Sequence, residues 1–122
     1  LLPAFGTKAR YKALEWLNFV ASDLHKGMAV MFSSLIDAPS KSQYAKGSLF
    51  SKFEYIDEHL SANNYVLGDE FSVADAYLYN VLSWPPRVNL DISGYASIQQ
   101  FMARMERRPS VRDSLIAEGL ID

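Results

Sequence analysis

The sequence predicts an all-α fold, a bundle of about five helices. Three observations lead there. Apolar residues recur at spacings of three and four along most of the chain. No segment alternates apolar and polar residues as a half-buried strand does. Helix-starting and helix-stopping residues divide the chain into five lengths.

The first helix spans about Thr7 to Leu35. Leu14, Leu17, Ala21, Leu24, Met28, Met31 and Leu35 form one apolar stripe. Thr7 is a good N-cap. Gly27 lies inside the helix and weakens it by about 1 kcal/mol against alanine. Asp37-Ala38-Pro39-Ser40 ends it. The second helix spans about Ser40 to Ala62, with Leu49, Phe53, Ile56 and Leu60 inward and Asn63-Asn64 closing it. A connector with turn residues at Gly68-Asp69 leads to Ser72, a second N-cap. Asp75 falls at the third helical position, where its carboxylate reaches back to the Ser72 amide. From Val73 to Trp84 the chain is apolar almost all round, so this helix is central and buried. Pro85-Pro86 stops or kinks it. The fourth helix, about Ala96 to Arg107, turns Ile98, Phe101, Met102 and Met105 to the core. The last starts at Pro109, buries Val111 and Leu115, and ends at Gly119. The four methionines, Met28, Met31, Met102 and Met105, read as core fillers.

A chain of 122 residues with 49% apolar residues suits one domain with a real core. A net charge of -2 gives no pull toward nucleic acid or a membrane surface. No apolar run reaches the ~20 residues of a membrane span. The chain has no cysteine, which removes a disulfide framework, thiolate metal sites and a cysteine nucleophile from these residues, and fits a cytoplasmic protein. Leu1-Leu2-Pro3-Ala4-Phe5-Gly6 is apolar without the positive start of a signal peptide. Residues 1–6 read as the remnant of an interdomain linker, with a tag remnant or processing as the alternative causes of such a start, and residues 7–122 as the helical domain of a longer protein.

Chemistry is sparse in the pattern. There is no glycine loop for phosphate and no metal-binding histidine pair; His25 and His59 fall on different helices. Tyr11, Asn18, His25 and Phe32 share heptad spacing, which places them on one edge of the first helix beside the core stripe. Asn18 and His25 stand about 10 Å apart along its axis. Such an edge either lines a cleft or is simply solvated, and the solvated reading is the ordinary one for this edge and for Lys26. Trp84 is either a core aromatic or a ligand wall carrying an indole donor. Capping accounts for Ser72 and Asp75 without any chemistry.

The segment Phe71-Ser72-Val73-Ala74-Asp75-Ala76-Tyr77-Leu78 resembles the capping-box region of glutathione S-transferase C-terminal domains. Arg10 to Phe19, followed by Leu24-His25-Lys26-Gly27, is similar to the first helix of that domain in the bacterial beta class. Phe101 to Met105 with Arg108-Pro109, and the ending Ala117-Glu118-Gly119-Leu120, are similar as well. The resemblance covers essentially the whole chain. It implies a homodimer of two-domain subunits, with glutathione as co-substrate held mainly by a thioredoxin-like N-terminal domain absent from these residues, and no metal. It implies that His25 and Lys26 stand near the glutathione sulfur, that Asn18 reaches glutathione across the dimer, and that Trp84 borders the electrophile pocket. The whole protein would then conjugate glutathione to a small electrophile or exchange thiol for disulfide, and the present residues alone would be inactive or nearly so. A non-catalytic interaction module of the same fold is the rival expectation; it needs the cap but not His25, Lys26 or Asn18. Pro85-Pro86 departs from the family pattern, and because residues before proline avoid helical geometry, the Trp84 ring is the least fixed of the four.

Overall fold

A computed structural model describes residues 1–122. Two long rods come first. One runs through α1 (Lys8–Phe19), a π-helical stretch (Val20–His25), α2 (Lys26–Ala29) and a 3-10 turn (Val30–Phe32). The other runs through α3 (Ala38–Tyr44), a second π-helical stretch (Ala45–Leu49) and α4 (Phe50–Ala62). Then follow α5 (Val73–Leu82), a 3-10 turn (Pro85–Val88), α6 (Ala96–Glu106) and α7 (Pro109–Ala117). No strand forms. The one β-bridge, Tyr65 to Gly68, closes a tight turn in which Gly68 takes φ 116°.

The all-helical bundle is the predicted one, with α5 packed between α1 and α6. Ala74, Leu78, Val81 and Leu82 of α5 join Leu24, Met28, Leu49, Phe53, Ile56, Ile98, Phe101 and Met105 in a single buried cluster. Val111 and Leu115 of α7 pack on its margin.

The first rod corrects the predicted stripe. Leu14 is exposed, Ala21 lies on the surface and Leu35 is 94% exposed beyond the rod's end. The buried line is Ala13, Trp16, Val20, Leu24, Met28 and Met31. From Trp16 to Met28 it advances in steps of four. In a regular α-helix each such step overshoots a full turn by about 40° and would carry the line off the core. The wider π-helical turn over Val20–His25 absorbs the overshoot. The second rod does the same over Ala45–Leu49, so that Ala45, Leu49 and Phe53 all stay buried. A stripe read at constant α-helical pitch misses this change of phase.

Gly27 has a reason the sequence did not show. The rods touch there: a Cβ on Gly27 would stand 3.1 Å from Leu49 Cδ2 and 3.3 Å from the Tyr44 hydroxyl, which donates to the Gly27 carbonyl. The helical weakness of glycine is offset by close packing. The second rod also starts earlier than expected. Asp37 caps it by accepting from the Ser40 amide at 2.8 Å, and Pro39 sits in its first turn, where a missing N–H costs nothing.

The Thr7 and Ser72 starts are as predicted. Thr7 Oγ1 accepts from the Arg10 amide. The Asp75 carboxylate, wholly buried, accepts from the Ser72 amide at 2.9 Å, the Ser72 hydroxyl at 3.2 Å and the Val66 amide at 2.8 Å. It thus pins the 63–72 connector as well as capping α5. Burial pushes its carboxyl above the ordinary value, and the three donors pull against that rise. At the far end, Gly119 takes φ 72° and Leu120 donates back to the Leu115 carbonyl, terminating α7 as the glycine predicted.

Candidate active site

The π-helical stretch ends at His25, and the widened turn decides which way this edge of the rod faces. His25 is exposed yet held on two sides. Its Nδ1 lies 2.5 Å from the hydroxyl of Tyr77, a half-buried residue in the middle of α5. The two rings stand edge to face, 5.7 Å apart at 85°. Trp84 presents a second edge-to-face contact at 4.8 Å and 78°, and Phe32 meets Trp84 in the same manner at 6.0 Å. Four rings from the first rod, α5 and the turn after it thus make one aromatic corner. Nε2 of His25 has no hydrogen-bond partner in the chain, nor has the Trp84 indole nitrogen. Lys26, next along the chain, is exposed and free of any ion pair; the one salt bridge joins Lys12 to Glu15.

Trp84 overturns the expectation about its backbone. It keeps helical geometry, φ -82° and ψ -35°, in front of Pro85. α5 tightens into a 3-10 turn in which Pro85 and Pro86 occupy the first positions, where no intrahelical N–H is required. The chain leaves this turn at Asn89, which takes φ 58°, while Leu90 donates to the Pro85 carbonyl at 2.9 Å. The double proline therefore extends the helical path and seats the indole against His25. On its other side Trp84 borders a cleft of about 920 Å³ between α5 and α7, whose wall includes Tyr79, Glu106, Val111 and Leu115 but not His25. There the Tyr79 hydroxyl donates to Glu106 at 3.3 Å; burial, then the nearby carboxylate, push that phenol up to about 12.

Asn18 is not brought together with His25. It lines a shallow depression with Trp16, Phe19, Ser22 and Tyr55, facing α4, whereas His25 faces α5. The predicted common edge fails because the π-helical turn lies between the two residues and rotates one against the other. Tyr77 was absent from the sequence-derived candidates. One signal could have found it: a tyrosine inside an apolar helix still needs a partner for its hydroxyl. His59 serves the fold, bonding the Val66 carbonyl at 2.7 Å and packing on Trp16.

The family model for the glutathione S-transferase C-terminal domain matches residues 12–109. The chain belongs to this family. It is 40% identical over 121 residues to glutathione S-transferase GstA of Escherichia coli O157:H7, covering 98% of this chain and 59% of that protein. It is similar to the bacterial glutathione S-transferase BphK, solved as a ternary complex, with 39% identity and a TM-score of 0.92 over 98% of this chain and 60% of that one. It is also similar to the bacterial beta-class enzyme of Sphingomonas chungbukensis, at 35% identity and a TM-score of 0.90, covering 99% and 60%. The chain therefore spans about three fifths of the length of the relatives it matches. No helix is long and apolar enough to cross a membrane.

Proposed function

We propose that this chain acts as the C-terminal half of a glutathione S-transferase of the beta class, with the aromatic corner at His25 facing the sulfur of glutathione. The observation that carries the reading is the corner itself. An exposed histidine is fixed by a hydrogen bond and two rings while one ring nitrogen stays free, and a free lysine lies beside it. A solvated helix edge needs no such fixing. Family membership, and relatives that are themselves glutathione S-transferases, support it.

In this reading a thioredoxin-like half preceding these residues carries most of the glutathione site, and the protein works as a cytoplasmic homodimer. His25 supplies a hydrogen bond and Lys26 a positive charge near the sulfur. Both favour thiolate over thiol and so raise the fraction of the nucleophile. The thiol proton passes to solvent, and the thiolate attacks either an electrophilic carbon, displacing its leaving group with the bonding electron pair, or a disulfide, breaking the S–S bond and releasing the second sulfur as thiolate. Trp84 and Phe32 form the apolar wall that the electrophile meets, and Asn18, turned toward α4 and away from His25, is left to contact a second subunit. The residues 1–122 by themselves conjugate glutathione poorly or not at all.

The test is steady-state conjugation of glutathione to a chlorodinitrobenzene by the two-domain protein, wild type against His25→Ala, with thermal melts of both. An exposed ring should cost about 0.5 kcal/mol of stability. Rate should fall roughly tenfold, less than for a full general acid or base, because Lys26 remains. Unchanged kinetics in a folded variant removes His25 from the site.

A further inference from the structure

We infer that Tyr77 is a positioning residue that holds the neutral His25 ring in a single tautomer, with the proton on Nε2, so that His25 offers an N–H donor at that nitrogen. This rests on the proposed function for its catalytic meaning, but not for its chemistry.

A neutral imidazole carries one N–H and one bare nitrogen, and the partner of either nitrogen decides which is which. Here the partner of Nδ1 is a phenol hydroxyl at 2.5 Å. Two arrangements are possible. In one, Nδ1 is bare and the phenol donates into its lone pair. In the other, Nδ1 carries the proton and the phenol oxygen must accept, so that the phenol's own proton finds no acceptor within the chain, where Tyr77 has no other hydrogen bond. A phenol is also a better donor than acceptor, because its oxygen lone pair is delocalised into the ring. Both considerations select the bare Nδ1, and the single imidazole proton then sits on Nε2.

The geometry gives that choice leverage. Tyr77 is carried by α5, whose flanking Ala74, Leu78, Val81 and Leu82 are almost fully buried, so its origin is fixed. A tyrosine has only two rotatable side-chain bonds to order. The edge-to-face contact of the two rings at 85° and that of Trp84 at 78° restrict rotation of the imidazole. His25 is therefore held both in orientation and in proton position. Nε2–H is left as a donor with no partner of its own in the chain. A fixed N–H stabilises a thiolate by hydrogen bonding alone; the thiol's own proton passes to solvent, and His25 keeps its proton throughout.

Long-range proton–nitrogen correlation spectra of the labelled chain, taken where imidazoles are neutral, test this. The wild type should show His25 with Nε2 protonated and Nδ1 bare, and Tyr77→Phe, which keeps the ring and removes the hydroxyl, should give a mixed population. Nδ1 protonated in the wild type overturns the inference without reference to any variant, and so does a tautomer ratio that Tyr77→Phe leaves unchanged. In the two-domain protein, Tyr77→Phe should lower kcat/KM by roughly threefold to tenfold and have no further effect once His25 is alanine. An equal loss in both backgrounds shows that Tyr77 acts otherwise than through His25. If the tautomer depends on Tyr77 while His25→Ala conjugates normally, the inference stands and the proposed function falls.

Discussion

Replacing Asp75 by alanine should be among the most damaging single changes in this chain. The carboxylate is fully buried and accepts three hydrogen bonds, two of them from the backbone amides of Val66 and Ser72. Val66 is 3% and Ser72 2% exposed, so water has little access to the amides that alanine strands. Each unpaired buried donor costs about 1–3 kcal/mol. Removing a buried carboxyl group returns part of that, since burial already opposes its charge. The net loss should be about 3–4 kcal/mol, a large part of the roughly 5–15 kcal/mol typical of a domain. With a urea slope of about 1–3 kcal/mol per molar, the midpoint should fall by about 2 M. Asp75→Asn keeps one acceptor and should fall about half as far. Equilibrium urea unfolding followed by circular dichroism measures both. A shift for Asp75→Ala below about 0.5 M, the range of an ordinary surface change, would refute the claim that this carboxylate ties the connector to α5.

Gly27→Ala should destabilise the chain by about 1 kcal/mol, because crowding at Leu49 and Tyr44 outweighs the helical advantage of alanine; a stabilised variant in the same melts would show that the rods part without cost. Lys26→Gln should leave stability within about 0.5 kcal/mol, as the side chain is exposed and unpaired, while slowing conjugation by the two-domain protein; a large drop in melting temperature would give Lys26 a structural role instead. Tyr79 predicts an alkaline effect. Its native value is raised from 10.0 to about 12, so above pH 10 the unfolded chain releases this proton first and binds fewer protons than the native one. Its contribution, fully present below about 10, is therefore lost as pH rises toward 12, and Tyr79→Phe should flatten that part of the stability curve; parallel curves for the two proteins would contradict it.

Much of the fold was legible because its signals are local. Thr7, Ser72, Pro109 and Gly119 mark helix ends by their own backbone preferences, and Asp75 at three residues from Ser72 announces its bond. Leu49, Phe53, Ile56 and Leu60 could be placed because their spacing is nearly regular. Apart from Leu35, which lies past the rod's end, the misread positions share one physical origin. Leu14 and Ala21 were set in the core, and Asn18 beside His25, by assuming one pitch along the first rod; the π-helical turn at Val20–His25 changes it. That turn is held by packing of Trp16, Val20, Leu24 and Met28 on other elements, which local propensity does not encode. Trp84 was doubted for a related reason: the avoidance of helical geometry before proline is a tendency, and burial of Pro85 and Leu82 overrides it. Heptad spacing set His25 on an edge of the first rod without giving it chemistry; the roles of His25, Lys26 and Trp84 entered through family resemblance. Tyr77 escaped both routes because it reads as one more ring in an apolar helix.

The most direct test of the central claim, that His25 faces the glutathione sulfur, is titration of the bound thiol. Ultraviolet absorbance of the thiolate, followed against pH in the two-domain protein with glutathione bound, reports its ionisation without any electrophile. With His25 at the sulfur, the bound thiol should ionise at lower pH than free glutathione, and His25→Ala should move the midpoint upward, by about one unit for a tenfold loss of thiolate stabilisation. A midpoint that His25→Ala leaves in place, in a variant that still binds glutathione, would contradict it.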